Sequence, residues 1–213
     1  MANALHDPTI RSRLDRLHRE ASRDLPAIAR GFLRSLGRRL QPRDMADAYI
    51  AISREQGELL YALLCATRAT RIVEFGASFG ISTLYLGAAA RQTGGTVIST
   101  EIEPEKCRVA RENIAEAGLD DIVTILEGDA MQTLLDLEGP IDHLFLDGWN
   151  DLYLPLLELL EPRFAPGATL VTDNARFASA KPFIRHLKGR PETYATTTLK
   201  TSKGATEFTT YLG

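Results

Sequence analysis

The positions with the most chemical potential in this sequence are acids and amides at the ends of apolar runs. His143-Leu-Phe-Leu ends in Asp147, followed by Gly148, Trp149 and Asn150, and Ala168-Thr-Leu-Val-Thr ends in Asp173 and Asn174. If the two runs are neighbouring strands of one sheet, their carboxylates converge beyond the strand ends, where doubly wound sheets hold ligands. Asp147, Asp173 and Asn174 offer two carboxylates and one amide oxygen. These are hard ligands, suited to Mg²⁺ or another divalent ion that keeps several waters. The alternative is that both acids merely cap the helices that follow. Gly148-Trp149 intervenes before the next helical stretch, so that alternative fits Asp147 poorly.

A second constellation lies earlier. Val73-Glu-Phe-Gly-Ala-Ser-Phe-Gly80 places Gly76 and Gly80 between a strand and a helix. Glycines there let the backbone approach a ligand, and the helix start offers free N–H groups. The spacing is G-x-x-x-G, not the G-x-G-x-x-G of dinucleotide enzymes, and no lysine follows as in a P-loop. The next strand ends in Glu101, 25 residues after Gly76. An acid at this place accepts hydrogen bonds from a ribose diol and repels a 2′-phosphate, which favours a plain adenosine ligand. The competing explanation is an acidic helix start, since Glu103 and Glu105 follow. Asp129 and Ala130, at the end of the third strand, lie where an adenine edge would rest.

These residues need a scaffold, and the pattern supplies one. RIVEF (71–75), TVIST (96–100), IVTIL (122–126), HLFLD (143–147) and ATLVTD (168–173) are short β-rich runs separated by amphipathic helical stretches. One such stretch runs from Pro104 to Ala117, with proline in its first turn and Gly118 past its end. Continuous apolar strands alternating with helices mean a parallel sheet covered on both faces. TYATTTL and ATEFTTYL flank Lys203-Gly204 and read as a hairpin that closes the sheet with an antiparallel strand. Ser53-Arg-Glu-Gln56 has the form of a capping box opening a helix to about Arg68. Upstream, apolar residues from Ile10 to Leu40 recur at three and four, a helical stripe broken near Pro26 and ended near Gly37. The expected organisation is an N-terminal helical extension over residues 1–50 and an α/β domain over residues 51–213.

Bulk properties set limits. With 213 residues, 44% hydrophobic content and a net charge of −3, the chain reads as a soluble globular protein of about one domain. The charge balance argues against a general nucleic-acid binder. Residues 1–44 are a local exception, with ten arginines against five acids; they read as a solvated face or a patch for an acidic partner. Cys65 and Cys107 lack metal or disulfide spacing and fit idle thiols in a reducing compartment. With no apolar run of about 18 residues and no signal segment, a cytoplasmic protein with no membrane contact is expected.

Together, E-x-G-x-x-x-G, the strand-end Glu101 and Gly128-Asp-Ala resemble the class I S-adenosylmethionine-dependent methyltransferases over about residues 50–213. FLDGWNDLYLP (145–155) and TDNA (172–175) are similar to motifs of the catechol O-methyltransferase family. The resemblance implies a doubly wound, seven-stranded, mostly parallel Rossmann-like sheet with an antiparallel last strand, preceded by N-terminal helices. It implies transfer of a methyl group from S-adenosylmethionine to a hydroxyl of a small, aromatic molecule, with divalent metal assistance from Asp147, Asp173 and Asn174. Cofactor contacts would come from Gly76, Ala77, Ser78 and Gly80 after the first strand, and from Glu101 and Ile102 after the second. Asp129, Ala130, Asp147 and Trp149 would complete the adenosyl side, while Glu74 and Ser82 would help hold the methionine part. Trp149 would wall the adenine or the substrate, or pack in the core. The N-terminal helices would cover the substrate or form a homodimer contact.

One departure matters. Asn150 stands where that family carries a lysine general base, and an amide does not accept a proton at neutral pH. Either the metal alone acidifies the substrate, with Asp147 and Asn150 as the catalytic pair that orients it, or another residue is the base, or none is needed. His143, within a strand, reads as structural; His186 and Lys181 are the other candidates. Two rival functions stay open: a metal-independent methyltransferase acting on nitrogen or another nucleophile, and a non-catalytic S-adenosylmethionine-binding protein.

Overall fold

The computed structural model describes residues 3–201 and 204–213. Seven strands form one sheet: β1 (Arg71–Phe75), β2 (Thr96–Glu101), β3 (Val123–Glu127), β4 (Ile141–Leu146), β5 (Phe164–Thr172), β6 (Tyr194–Thr201) and β7 (Gly204–Tyr211). Their spatial order is β3-β2-β1-β4-β5-β7-β6. The first five run parallel, and β7 is antiparallel to both of its neighbours. This is the expected architecture. Of the hairpin turn, Lys203 lies outside the described residues; the pairing of β6 with β7 matches the expectation.

Eight α-helices connect and cover the strands: α1 (Pro8–Ala21), α2 (Leu25–Arg34), α3 (Arg54–Thr67), α4 (Ile81–Thr93), α5 (Pro104–Glu116), α6 (Ala130–Thr133), α7 (Tyr153–Leu160) and α8 (Lys181–Lys188). Strand residues alternate between two cores. Ile72, Val97, Val123 and Phe145 pack with α1, α3 and α4 on one face. Val73, Leu144, Leu146 and Leu170 pack with α7 and α8 on the other. Every residue of α4 from Ile81 to Ala90 is buried, because it is sandwiched between the sheet and the α1 and α3 layer. Small side chains make this close stacking possible: a Cβ on Gly87 would lie 2.9 Å from Val123.

The strand order reverses between β1 and β4, so the loops that leave their carboxyl ends diverge and open a crevice. At its floor the two loops touch. Gly76 has φ +98°, and a Cβ there would sit 2.9 Å from the Gly148 backbone; a Cβ on Gly148 would sit 2.4 Å from the Phe75 ring. Glycine at both positions is what brings the β1 and β4 loops together.

A roof lies over this crevice. Ala27, Met45 and Ala48 form a small separate core with Ile28 and Leu40. Arg38 grips the buried Asp44 with two hydrogen bonds of 2.5 and 2.8 Å, and Asp44 also accepts from the Gln41 N–H at 2.8 Å. Only part of the N-terminal apolar stripe is covered: Leu25, Phe32 and Leu36 are 77%, 57% and 76% exposed.

Candidate active site

A cavity of about 480 Å³ occupies the crevice, and a second of about 320 Å³ adjoins it; Leu40, Pro42, Phe75, Ile102 and Trp149 line both. The β1 end supplies Gly76, Ala77, Ser78 and Ser82 to the larger cavity, and β2 supplies Glu101 and Ile102. Gly80 opens α4 in the left-handed region at φ +89°, packed against Ala110. The Glu101 carboxylate is held on both oxygens. Oε2 accepts from the Ser78 N–H at 2.8 Å, and Oε1 accepts from the N–H groups of Ile102 and Glu103 at 2.9 and 3.0 Å. It therefore faces the cavity in a fixed orientation and is not the cap of α5, whose N-cap position is Glu103.

Glu74 sits beneath the cavity wall. It is fully buried and does not line the cavity. Its Oε2 accepts from the hydroxyls of Thr83 and Ser99 at 2.6 and 2.5 Å. Burial pushes its pKa up against the pull of the Ser82, Ser99 and Thr83 hydroxyls. The strand's alternation turns this side chain under α4, so Glu74 braces the wall that carries Ser82.

Asp129 and Ala130 line the smaller cavity with Trp149. Asp129 also caps α6, accepting from the Met131 N–H at 2.9 Å. Trp149 lines both cavities, so it is a cavity wall and not a core residue.

At the far end of the larger cavity stand Asp147, Asn150 and Asn174. Asn174, in the left-handed region at φ +60°, donates from Nδ2 to Asp147 Oδ1 at 3.1 Å. Asp173 lies beside them, just behind the cavity lining. Its Oδ1 accepts from Gln56 Nε2 at 3.0 Å and Thr206 Oγ1 at 3.1 Å. Neither strand-end acid caps a helix: the N-cap of the turn after β4 is Trp149. The buried Tyr153 hydroxyl donates to the carbonyls of Gly148 and Asp173 at 3.2 and 3.4 Å. Burial, then the charges of Asp147 and Asp173, push its pKa well above the ordinary phenol value. The Asn150 amide lies against this hydroxyl.

The described residues bring no three His, Cys, Asp or Glu side chains together as a metal cluster; the set at this corner is two carboxylates and an amide. None of the four histidines lines the larger cavity. His143 is fully buried in the sheet, its Nδ1 2.8 Å from Thr169 Oγ1, with its pKa pushed down to about 3 by burial. His186 pairs with Arg190 at 3.0 Å on α8, and Lys181, which opens that helix, lines neither cavity.

Several site residues had no sequence signal. Met45, Tyr49, Ile50 and Phe32 roof the cavity from the N-terminal segment, and Phe177 walls it after β5. Gln56 was legible only as a capping-box residue. It fills that role, accepting from the Ser53 N–H at 2.9 Å, and spends its other end on Asp173.

A family model described as a methyltransferase domain matches residues 73–175. Over 126 residues the chain is 35% identical to a catechol O-methyltransferase of Mycobacterium tuberculosis, a match covering 59% of this chain and 57% of that protein. To the catechol O-methyltransferase of Sus scrofa it is 28% identical over 145 residues, 65% of this chain and 77% of the other. The chain thus spans little more than half the length of the mycobacterial relative. An O-methyltransferase of Streptomyces achromogenes involved in tomaymycin synthesis, solved in complex with S-adenosylmethionine, superposes with a TM-score of 0.69 at 26% identity, covering 77% of this chain and 82% of that one. With a seven-stranded sheet in this order, the chain is similar in sequence and fold to O-methyltransferases of the catechol O-methyltransferase type.

Proposed function

We propose that this chain transfers the methyl group of S-adenosylmethionine to a hydroxyl of a small aromatic molecule, assisted by a divalent cation. The observation that carries this is one cavity with two chemically distinct ends: a fixed carboxylate, Glu101, at one, and Asp147 with Asn174 at the other. Glu101 would take the ribose diol, with Trp149 and Ala130 bounding the adenine. Ser82 and the free N–H groups of the α4 start would meet the methionine part. The acceptor ring would lie among Phe32, Ile50 and Phe177, apolar residues at the cavity mouth.

The donor set at the acceptor end fits a hard cation. Two carboxylates and a carboxamide share a partly buried corner, and both carboxylate charges bear on Tyr153, so a positive ion there relieves like-charge repulsion. Asp147 and Asp173 would hold it with Asn174, whose amide presents Oδ1 in place of Nδ2 after half a turn. A bound divalent ion lowers the pKa of a coordinated hydroxyl and orients its oxygen. Asn150 would orient acceptor or water without taking a proton. Tyr153 is no substitute base, because burial and then the two neighbouring carboxylates disfavour its phenolate. The N-terminal segment would serve as a substrate cover.

The test is methyl transfer from labelled S-adenosylmethionine to a panel of ortho-dihydroxy aromatics, before and after EDTA and with Mg²⁺ restored. Transfer that vanishes with EDTA and returns with Mg²⁺ is expected. Undiminished transfer in EDTA would sink the metal role; tight cofactor binding with no transfer to any acceptor would favour a binding protein.

A further inference from the structure

Lys106, in the first turn of α5, is 6% exposed and is the single cationic side chain among the described residues that line the larger cavity. Its ammonium forms no hydrogen bond or ion pair among the described residues; it lies over the Phe79 ring, 5.4 Å from the centroid. An aromatic face is a weak substitute for the water that a buried ammonium has lost. Burial pulls its pKa down, while Glu101 first, then Glu103, pull it up. Its helix α5 leaves the end of β2, the strand that closes in Glu101, so Lys106 and Glu101 line the cavity from the same side.

The chemistry of that end calls for a donor. Glu101 is an acceptor only, and a diol that donates its protons to it keeps unfilled lone pairs on both hydroxyl oxygens. Where the cavity wall shields them from water, those lone pairs cost affinity unless something donates to them. Lys106 has three N–H donors, shares the Glu101 wall, and has no other polar partner.

We propose that Lys106 is a cofactor-binding residue whose ammonium donates to a ribose hydroxyl oxygen of the adenosyl group while Glu101 accepts that diol's protons. This rests on the proposed placement of the adenosyl group at the Glu101 end. The clamp makes ribose recognition two-sided, with a carboxylate and an ammonium reading opposite halves of the same hydroxyl pair.

The test uses Trp149, the chain's single tryptophan, as a fluorescence reporter of binding by S-adenosylhomocysteine and by its 2′-deoxy and 3′-deoxy analogues. Charge-assisted hydrogen bonds are strong, so Lys106→Met should weaken S-adenosylhomocysteine by about tenfold to a hundredfold. Deleting the contacted hydroxyl should then cost the wild type about tenfold more than it costs the variant. Lys106→Arg should recover part of that coupling. Thermal melts of Lys106→Met and Lys106→Gln verify folding, and either variant serves for the comparison. Unchanged affinity in both variants, an equal loss for all three ligands, or an effect confined to the acceptor KM would overturn the assignment. A wild type that fails to bind S-adenosylhomocysteine would instead sink the cofactor reading beneath it, together with this clamp.

Discussion

Gly76→Ala tests the geometry on which the crevice depends. The native residue has φ +98°, and the added Cβ would meet the Gly148 Cα and N, both at 2.9 Å. Those atoms are backbone, so they yield only if the β1 and β4 loops separate. A non-glycine residue held at such a φ costs about 1–3 kcal/mol, and overpacking costs about 1–3 kcal/mol more. If the two add to roughly 3 kcal/mol, Tm should fall by roughly 6–12 °C, at about 2–4 °C per kcal/mol in a chain of this size. Spreading the loops also displaces Asp147, whose N–H donates to the Phe75 carbonyl at 3.0 Å. Cofactor affinity should therefore fall at least tenfold at a temperature where the variant is still folded. Differential scanning calorimetry and isothermal titration of S-adenosylhomocysteine measure the two effects. A variant that melts within about 1 °C of wild type and binds equally well would refute the close approach of the two loops.

Further expectations concern single side chains. Gln56→Leu removes one of the two donors on Asp173 Oδ1 and the return bond of the capping box; it should cost about 1–2 kcal/mol by denaturant unfolding and weaken Mg²⁺ activation more than S-adenosylhomocysteine affinity. His143 is held neutral in the sheet with a pKa near 3, against about 6.5 in an unfolded chain. Its contribution is complete above about pH 6.5 and is lost as pH falls toward 3, because the unfolded chain takes up a proton that the folded chain refuses. Unfolding free energies from urea titrations between pH 7 and pH 4.5 should decline by up to about 1.4 kcal/mol per pH unit from this group, and His143→Gln should flatten that slope; an unchanged slope counts against it. Asn150→Lys should raise kcat near neutral pH, and the wild-type rate should climb toward alkaline pH; loss of activity in the variant with cofactor binding intact would contradict the idea that the native site lacks a side-chain base.

The sheet was legible because its evidence is local. Runs such as Arg71–Phe75 are apolar on both faces and bounded by glycines and helix starts, and they form strands at those residues. Strand-end acids left a comparable signal: Glu101 and Asp147 line the crevice, while Asp173 sits just behind its lining. Glu74 was less legible for the complementary reason: it sits inside its strand, and the two-residue alternation of the pleat sends it beneath α4 to Thr83 and Ser99. A cover from the N-terminal helices was expected, but the residues that form it were not legible. Met45, Tyr49 and Ile50 reach the cavity only because the segment after α2 folds back over loops more than 25 residues away, and no periodicity encodes such a contact. Lys106 was hidden by its company, one charged residue in the charged helix Pro104–Glu116.

The corner around Asp173 is fastened from outside the β1–β3 half of the sheet, and this shapes how the proposed site can work. Asp173 follows β5, yet its carboxylate is fixed by Gln56 from the start of α3 and by Thr206 from β7. Gln56 and Thr206 also bond to each other at 3.2 Å, so three elements meet at one carboxylate oxygen. On the opposite side, the Arg39–Asp151 ion pair of 3.0 Å ties the N-terminal segment to the loop that carries Asp147 and Asn150. That pair is solvent-exposed and contributes little to stability by itself. In the proposed reaction, the corner that would hold the cation is braced by three elements, while the cover would have to open for acceptor and product.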